Sequence, residues 1–232
     1  MRTPTGCKAL DEMLKGGIEP GVITTIYGGG GTGKTNICLQ LARNVALNGE
    51  KVLYIDTEGV SIERLNQIAG DDSDKVLNNT LFHKVHSFAE QEDSLKKVER
   101  MMHREDNGVG MVIIDSFTIF YRTLINNDEE RDVSKRLGRQ MIDLMKIARQ
   151  SDIPVVLTTQ VYHSQKDGAD RPLGGHILYH NSKTILELIS LGRQLRQCTL
   201  IKHRSVQTGS SVRFTIGEEG IFSSCKEDIK NN

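Results

Sequence analysis

The residues with the plainest chemical capacity are Gly28, Gly29, Gly30, Gly31, Thr32, Gly33, Lys34, Thr35 and Asn36, in a stretch that begins at Tyr27 and follows an apolar run from Val22 to Ile26. Gly28, Gly33, Lys34 and Thr35 stand at the spacing of a phosphate-binding loop, G-x-x-x-x-G-K-[ST]. Glycines let successive backbone N–H groups turn toward an anion, and the helix that follows adds its positive end. In such a loop Lys34 reaches the β and γ phosphates and the Thr35 hydroxyl ligates magnesium. The chemistry is therefore nucleoside triphosphate binding.

Hydrolysis needs polar groups that reach the same phosphates from elsewhere in the chain. Asp115 ends the apolar run "MVIID", where a parallel strand delivers residues to a ligand crevice, and is the candidate to orient the magnesium shell. The alternative is an ordinary strand-end carboxylate. A second run, "VLYID", ends at Asp56 and is followed by Glu58. Asp56 lies close enough to the strand to hold the turn, whereas Glu58 projects beyond it and is the better candidate to hold and deprotonate water. Gln160 follows "VVLTT", where its amide can sense a γ-phosphate and report to the next loop. Three strand-end polar residues converging on one crevice favour a hydrolase over a simple nucleotide binder.

The elements that must position these groups alternate. The strand before the loop leads into a helix with Ile37, Leu41 and Val45 on one face, stopped at Gly49. A short helix follows "KVLYID", with Ser61 as cap and Gly70 as terminator. "EQEDSLKKVERMMHRED" reads as another helix, acids first and bases later. The stripe Val133, Leu137, Met141, Leu144 and Ile147 marks a long helix, so Met141 and Met145 are core before they are anything else. The order predicts an α/β fold, a mostly parallel sheet flanked by helices. "TILELIS", "QCTLIKHRSV" and "VRFTIG" then predict a C-terminal antiparallel extension. Residues 162–175 carry too many glycine and proline breakers for a regular element and read as a surface loop.

Composition excludes several classes. Thirty basic side chains balance thirty acidic ones among 232 residues, so any charge argument must be local. No apolar stretch reaches the roughly 18 residues of a spanning helix, and no signal segment opens the chain, so a soluble cytoplasmic protein is expected. Cys7, Cys38, Cys198 and Cys225 are dispersed, which argues against structural zinc or a disulfide framework. Between Glu187 and Glu218 there is no acid, while Arg193, Arg196, Lys202, Arg204 and Arg213 are basic. Such residues suit phosphate contacts of low sequence preference, or a solvated strand face. Period two would put Lys202 and Arg204 on one side of their strand.

The ordered set "PTGCKALDEMLKGGIEPGVITTIYGGGGTGKT", "LYIDTEG", "VIIDS", "LTTQV", "RPLGGHI" and "LIKHRS" resembles the RecA/RadA recombinase superfamily, and within it the RadB group of short archaeal RadA paralogues. The resemblance spans essentially the whole chain. It implies a RecA-like ATPase core with ATP and Mg2+ as cofactors. Lys34 and Thr35 hold phosphates and metal, Asp115 supports the metal, Glu58 activates water, and Gln160 couples nucleotide state to a DNA-binding loop. Arg64 matches the arginine that lies against adenine. Lys202 and Arg204 are similar to a pair that reaches the γ-phosphate of a neighbouring subunit; the alternative is that they serve DNA.

Departures from the family pattern shape the functional expectation. RadA-type chains have an N-terminal helical DNA-binding domain and a linker peg that enters the next subunit; here a single ATPase domain over residues 1–232, without that peg, is expected. The first DNA loop contains Asp128, Glu129, Glu130 and Asp132, and the second offers Lys166 and Arg171 against Asp167 and Asp170. The resemblance thus implies an ATP- and DNA-binding accessory protein of recombination and repair, with weak ATPase activity and no strand exchange. Its implied partners are single-stranded or junction DNA, a RadA-like recombinase, a junction nuclease and, weakly, a second copy of itself. The competing expectation is a P-loop kinase or clock-type ATPase acting on a protein or small molecule.

Overall fold

The computed structural model describes residues 1–104, 107–125, 130–163 and 170–224. Its elements run α1 (Lys8–Met13), β1 (Ile23–Gly28), α2 (Lys34–Leu47), β2 (Lys51–Asp56), α3 (Ile62–Ala69), α4 (Ser73–Asn79), β3 (Thr80–Lys84), α5 (Phe88–Met102) and β4 (Val109–Asp115). They continue through α6 (Ile119–Leu124), α7 (Glu130–Ser151), β5 (Val155–Thr159), β6 (Val161–His163), β7 (Asp170–Pro172) and α8 (Gly175–Asn181). The last are β8 (Thr184–Gly192), β9 (Leu195–Lys202), β10 (Ser211–Gly217) and β11 (Gly220–Ser223).

One sheet has the order β11-β10-β9-β8-β1-β5-β4-β2-β3. From β8 to β3 all neighbours are parallel, and β8 to β11 are joined antiparallel. The predicted parallel sheet with an antiparallel extension is therefore present. β1, β4 and β5 are buried along their whole length, as apolar strands covered on both faces must be. One core layer lies under α1 to α4, with Leu10, Ile37, Leu41, Ile68 and Val76. The other lies under α5 to α8 and contains the predicted stripe Val133, Leu137, Met141, Leu144 and Ile147. Ser61 caps α3 by accepting from the Arg64 N–H at 3.1 Å, and Gly70 terminates it.

α2 is also tied to the last strand. The Gln40 side chain donates to the Ile221 carbonyl at 3.2 Å and accepts from the Ile221 N–H at 2.7 Å. The amide thus satisfies both backbone groups of one residue, as a neighbouring strand would.

Three expectations need correction. Residues 162–175 are not irregular throughout, because β6 and β7 pair as a small separate hairpin, Tyr162 opposite Arg171. Lys202 ends β9 and Arg204 lies beyond it, so the strand period does not set their common direction. The basic residues after Glu187 do not form one patch. Arg196 pairs with Ser190 while Lys202 pairs with Ile185, and six residues of strand separate the two by about 20 Å.

Candidate nucleotide site

β1 ends at Gly28 and α2 begins at Lys34, so the glycine loop joins a buried strand to a helix N-terminus. Two of its glycines are required by close approach. A Cβ on Gly28 would lie 2.3 Å from the Leu188 carbonyl oxygen, and one on Gly33, at φ 98°, 2.7 Å from Ile216 Cδ1. Gly30 and Gly31 have nothing within 4 Å of a Cβ position, which is the open side of a cradle. Lys34 is 7% exposed and donates to the carbonyls of Gly28 and Gly29, each at 2.9 Å. Burial lowers its pKa from the usual lysine value, against the opposing pull of Glu58 and Asp115.

The acids divide as their positions suggest. Asp56 accepts from the backbone N–H groups of Glu58 at 3.2 Å, Gly59 at 2.8 Å and Val60 at 2.8 Å, so it holds the turn. Glu58, beyond it, is exposed and accepts from Gln160 Nε2 at 2.9 Å. Gln160 Oε1 in turn accepts from Arg122 Nη1 at 3.3 Å. Asp115 is buried and accepts from the Tyr54 hydroxyl at 2.9 Å and from the Thr158 hydroxyl. Burial first, and the Asp115 charge second, push the Tyr54 phenol well above its usual pKa, so Tyr54 remains a proton donor to this carboxylate.

These residues fit a triphosphate with magnesium. A buried ammonium whose hydrogen-bond partners are two carbonyls lacks the anion it is placed to meet. The Thr35 hydroxyl makes no hydrogen bond among the described residues and is available as a metal ligand. Both Asp115 oxygens keep a second lone pair, which suits a metal contact through water.

Comparison with known proteins agrees with this fold. The sequence profile of the Rad51 family matches residues 1–224. The chain belongs to the Rad51 family. It is 41% identical over 218 residues to the DNA repair and recombination protein RadB of Methanococcoides burtonii, covering 94% of this chain and 96% of that protein. It is 42% identical over 222 residues to the protein of the same name from Archaeoglobus fulgidus, covering 95% and 98%. A crystal structure of the RadB recombinase superposes with a TM-score of 0.83 at 34% identity, over 96% of this chain and all of that one.

Around the Rad51-family core, the remaining candidate residues are scattered. Arg64 donates from Nε to Asn36 Oδ1 at 2.8 Å, from Nη2 to the Gly217 carbonyl at 2.7 Å, and from Nη1 to the Glu218 carbonyl at 2.6 Å. It therefore stands beside α2, pinned to the β10–β11 turn. Lys202 lies 4.6 Å from the Tyr179 ring centroid and donates to the Tyr179 carbonyl. Arg204 grips Glu19 at 2.6 and 3.1 Å. Arg193 and Arg213 are exposed, as is Arg171 on β7, while Lys166, Asp128, Glu129 and Cys225 lie outside the described residues. Arg196 departs most from expectation: its Nε donates to the Gly31 carbonyl at 3.1 Å, which holds it against the glycine loop.

Arg122 is the residue that sequence reading missed. It ends "FYR", six residues before Asp128. No apolar strand points to it, because α6 has only six residues.

Proposed function

We propose that this Rad51-family chain is an ATP- and DNA-binding accessory protein of homologous recombination and DNA repair. It hydrolyses ATP slowly with magnesium and does not itself exchange strands. The observation that carries this reading is the hydrogen-bonded run Glu58–Gln160–Arg122. It joins the carboxylate beside the phosphate cradle to the rim of a groove of about 610 Å³ lined by Arg122, Tyr162, Gly174 and His176. A phosphate backbone in that groove would compete for Arg122 and so alter how Gln160 holds Glu58.

When bound, magnesium neutralises phosphate charge and orients the triphosphate. Lys34 supplies a second positive charge to the same phosphates, and Thr35 and Asp115 hold the metal, the latter through water. Glu58 accepts the proton of the attacking water, with Gln160 fixing the carboxylate oxygen that the water does not use. Slow turnover follows from Lys202 and Arg204 lying at the far end of β9 from Arg196 and the cradle. They reach a γ-phosphate only in another chain, which makes weak homo-oligomers part of the reading. A RadA-like recombinase and a junction nuclease are the protein partners this role entails.

Fluorescence anisotropy with labelled single-stranded and four-way-junction DNA, with and without ATP and magnesium, tests the proposal. Binding that weakens steeply with salt is expected. Absence of DNA binding under every condition would leave the kinase or clock-type alternative.

A further inference from the structure

The β8–β9 hairpin brings one arginine against the glycine loop. β8 is parallel to β1, with Leu188 opposite Gly28, and continues past the end of β1 before the chain turns back. Ser190, two residues beyond Leu188, pairs with Arg196. At about 3.3 Å per residue this sets Arg196 roughly 7 Å past the last residue of β1, level with the arch of Gly29 to Gly31. On the adjacent strand Phe214 pairs with Arg196, and Ile216 packs beneath Gly33. The antiparallel extension is thus one wall of the loop.

The contacts of Arg196 are unlike those of the paired arginines. Arg136 grips Glu92, and Arg204 grips Glu19, through the Nε and Nη2 edge of the guanidinium. That edge presents two parallel N–H groups and is the part of arginine that fits an oxyanion. In Arg196, Nη1 is occupied by the carbonyls of Arg193 and Leu195, each at 2.9 Å. Nε touches the Gly31 carbonyl, and Nη2 makes no hydrogen bond among the described residues. Nor does any carboxylate pair with Arg196 among those residues. Half of an anion-gripping edge is therefore open, next to the Gly31 carbonyl of the glycine loop. The charge is uncompensated and shares that loop with Lys34.

We infer that Arg196 is a phosphate-binding residue of this chain's own nucleotide site. Its Nε–Nη2 edge takes an oxygen of the polyphosphate while Nη1 stays anchored to the hairpin. The inference rests on the reading of the glycine loop as an ATP site. It gives the cradle two cations from the same chain, Lys34 from the helix side and Arg196 from the hairpin side. A neighbouring subunit is then needed for turnover and not for binding.

Two substitutions separate charge from loop shape. Arg196→Gln keeps an amide donor for the Gly31 carbonyl and removes the charge; Arg196→Lys keeps the charge and loses the fork. Calorimetric titration of the full chain with ATP and magnesium should show the glutamine variant weakened by about 10- to 100-fold, the value of a charge-assisted contact. The lysine variant should recover part of that loss. DNA affinity without nucleotide should stay unchanged in both. Parental ATP affinity in the glutamine variant overturns the inference, as does a lysine variant no better than glutamine, which would assign Arg196 to loop shape. Loss of DNA binding with ATP affinity intact overturns it in favour of a DNA contact. Lys34→Ala in the same titration is the control: normal ATP affinity there would remove the ATP-site reading itself, whatever Arg196 does.

Discussion

The two halves of the sheet treat polar groups in opposite ways. β1, β2, β4 and β5 discharge Lys34, Glu58, Asp115 and Gln160 at one end, where backbone carbonyls, Tyr54, Thr158 and a shared amide–carboxylate bond hold them. β8 to β11 spread their cations over both ends: Arg196 against the glycine loop, Lys202 on Tyr179, and Arg204 on Glu19. Parallel strands all point one way, so their C-terminal residues share a destination. Antiparallel strands alternate, so residues close in sequence can serve opposite ends of the molecule.

The largest expected effect breaks the convergent half. Lys34→Ala should weaken ATP binding by about 100-fold or more, since it removes a buried cation that carbonyls alone now satisfy; calorimetry measures it directly. Glu58→Gln should leave ATP affinity within about threefold while lowering hydrolysis by about 100-fold, the range of a lost general base. Equal loss of binding and turnover would instead make Glu58 part of the metal shell.

A third change tests whether the extension supports the cradle. Phe214 is fully buried behind Gly33. Its replacement by Ala should cost about 3 to 5 kcal/mol of stability in denaturant titrations and loosen ATP binding as well. Intact ATP affinity in the folded variant would show that the wall is dispensable. Lys202→Ala with Arg204→Ala should lower ATPase activity and ATP-promoted self-association together, read by sedimentation. A salt dependence of DNA binding shallower by about two ions would assign the pair to DNA instead. The smallest effect is expected for Glu19→Gln, which removes the charge facing Arg204 and, at 3.8 Å, Arg2, and should cost about 1 kcal/mol in thermal unfolding.

The strand-end residues are legible because each lies at or just past a short run that reads as a buried strand, and the direction of a buried parallel strand is implied by what precedes it. Asp56 and Glu58 were separable for the same reason, one at the strand terminus and one past it. α1, α6 and α8 were not legible: six or seven residues make fewer than two turns, too few for a helical period to show. The destinations of Arg196 and Arg64 were hidden for a different reason. They depend on hairpin register and on which turn lies over α2, and neither leaves a periodic trace. The run of basic residues after Glu187 is therefore contiguous in sequence but divided by the fold.

The clasp between Gln40 and Ile221 bears on how this polypeptide tolerates shortening. Gly220 comes so near that a Cβ there would lie 2.2 Å from Gln40 Oε1, which leaves no room for the amide to find another acceptor by a small shift. Removing the chain from Gly220 onward would delete both backbone partners of the Gln40 amide and the buried Ile221 side chain, so the helix that starts at Lys34 loses two hydrogen bonds and an apolar contact layer together. A cut at Gly220 is thus felt in α2, the element that opens the phosphate cradle, and affinity tags or fusions belong beyond Ser223 rather than in place of it.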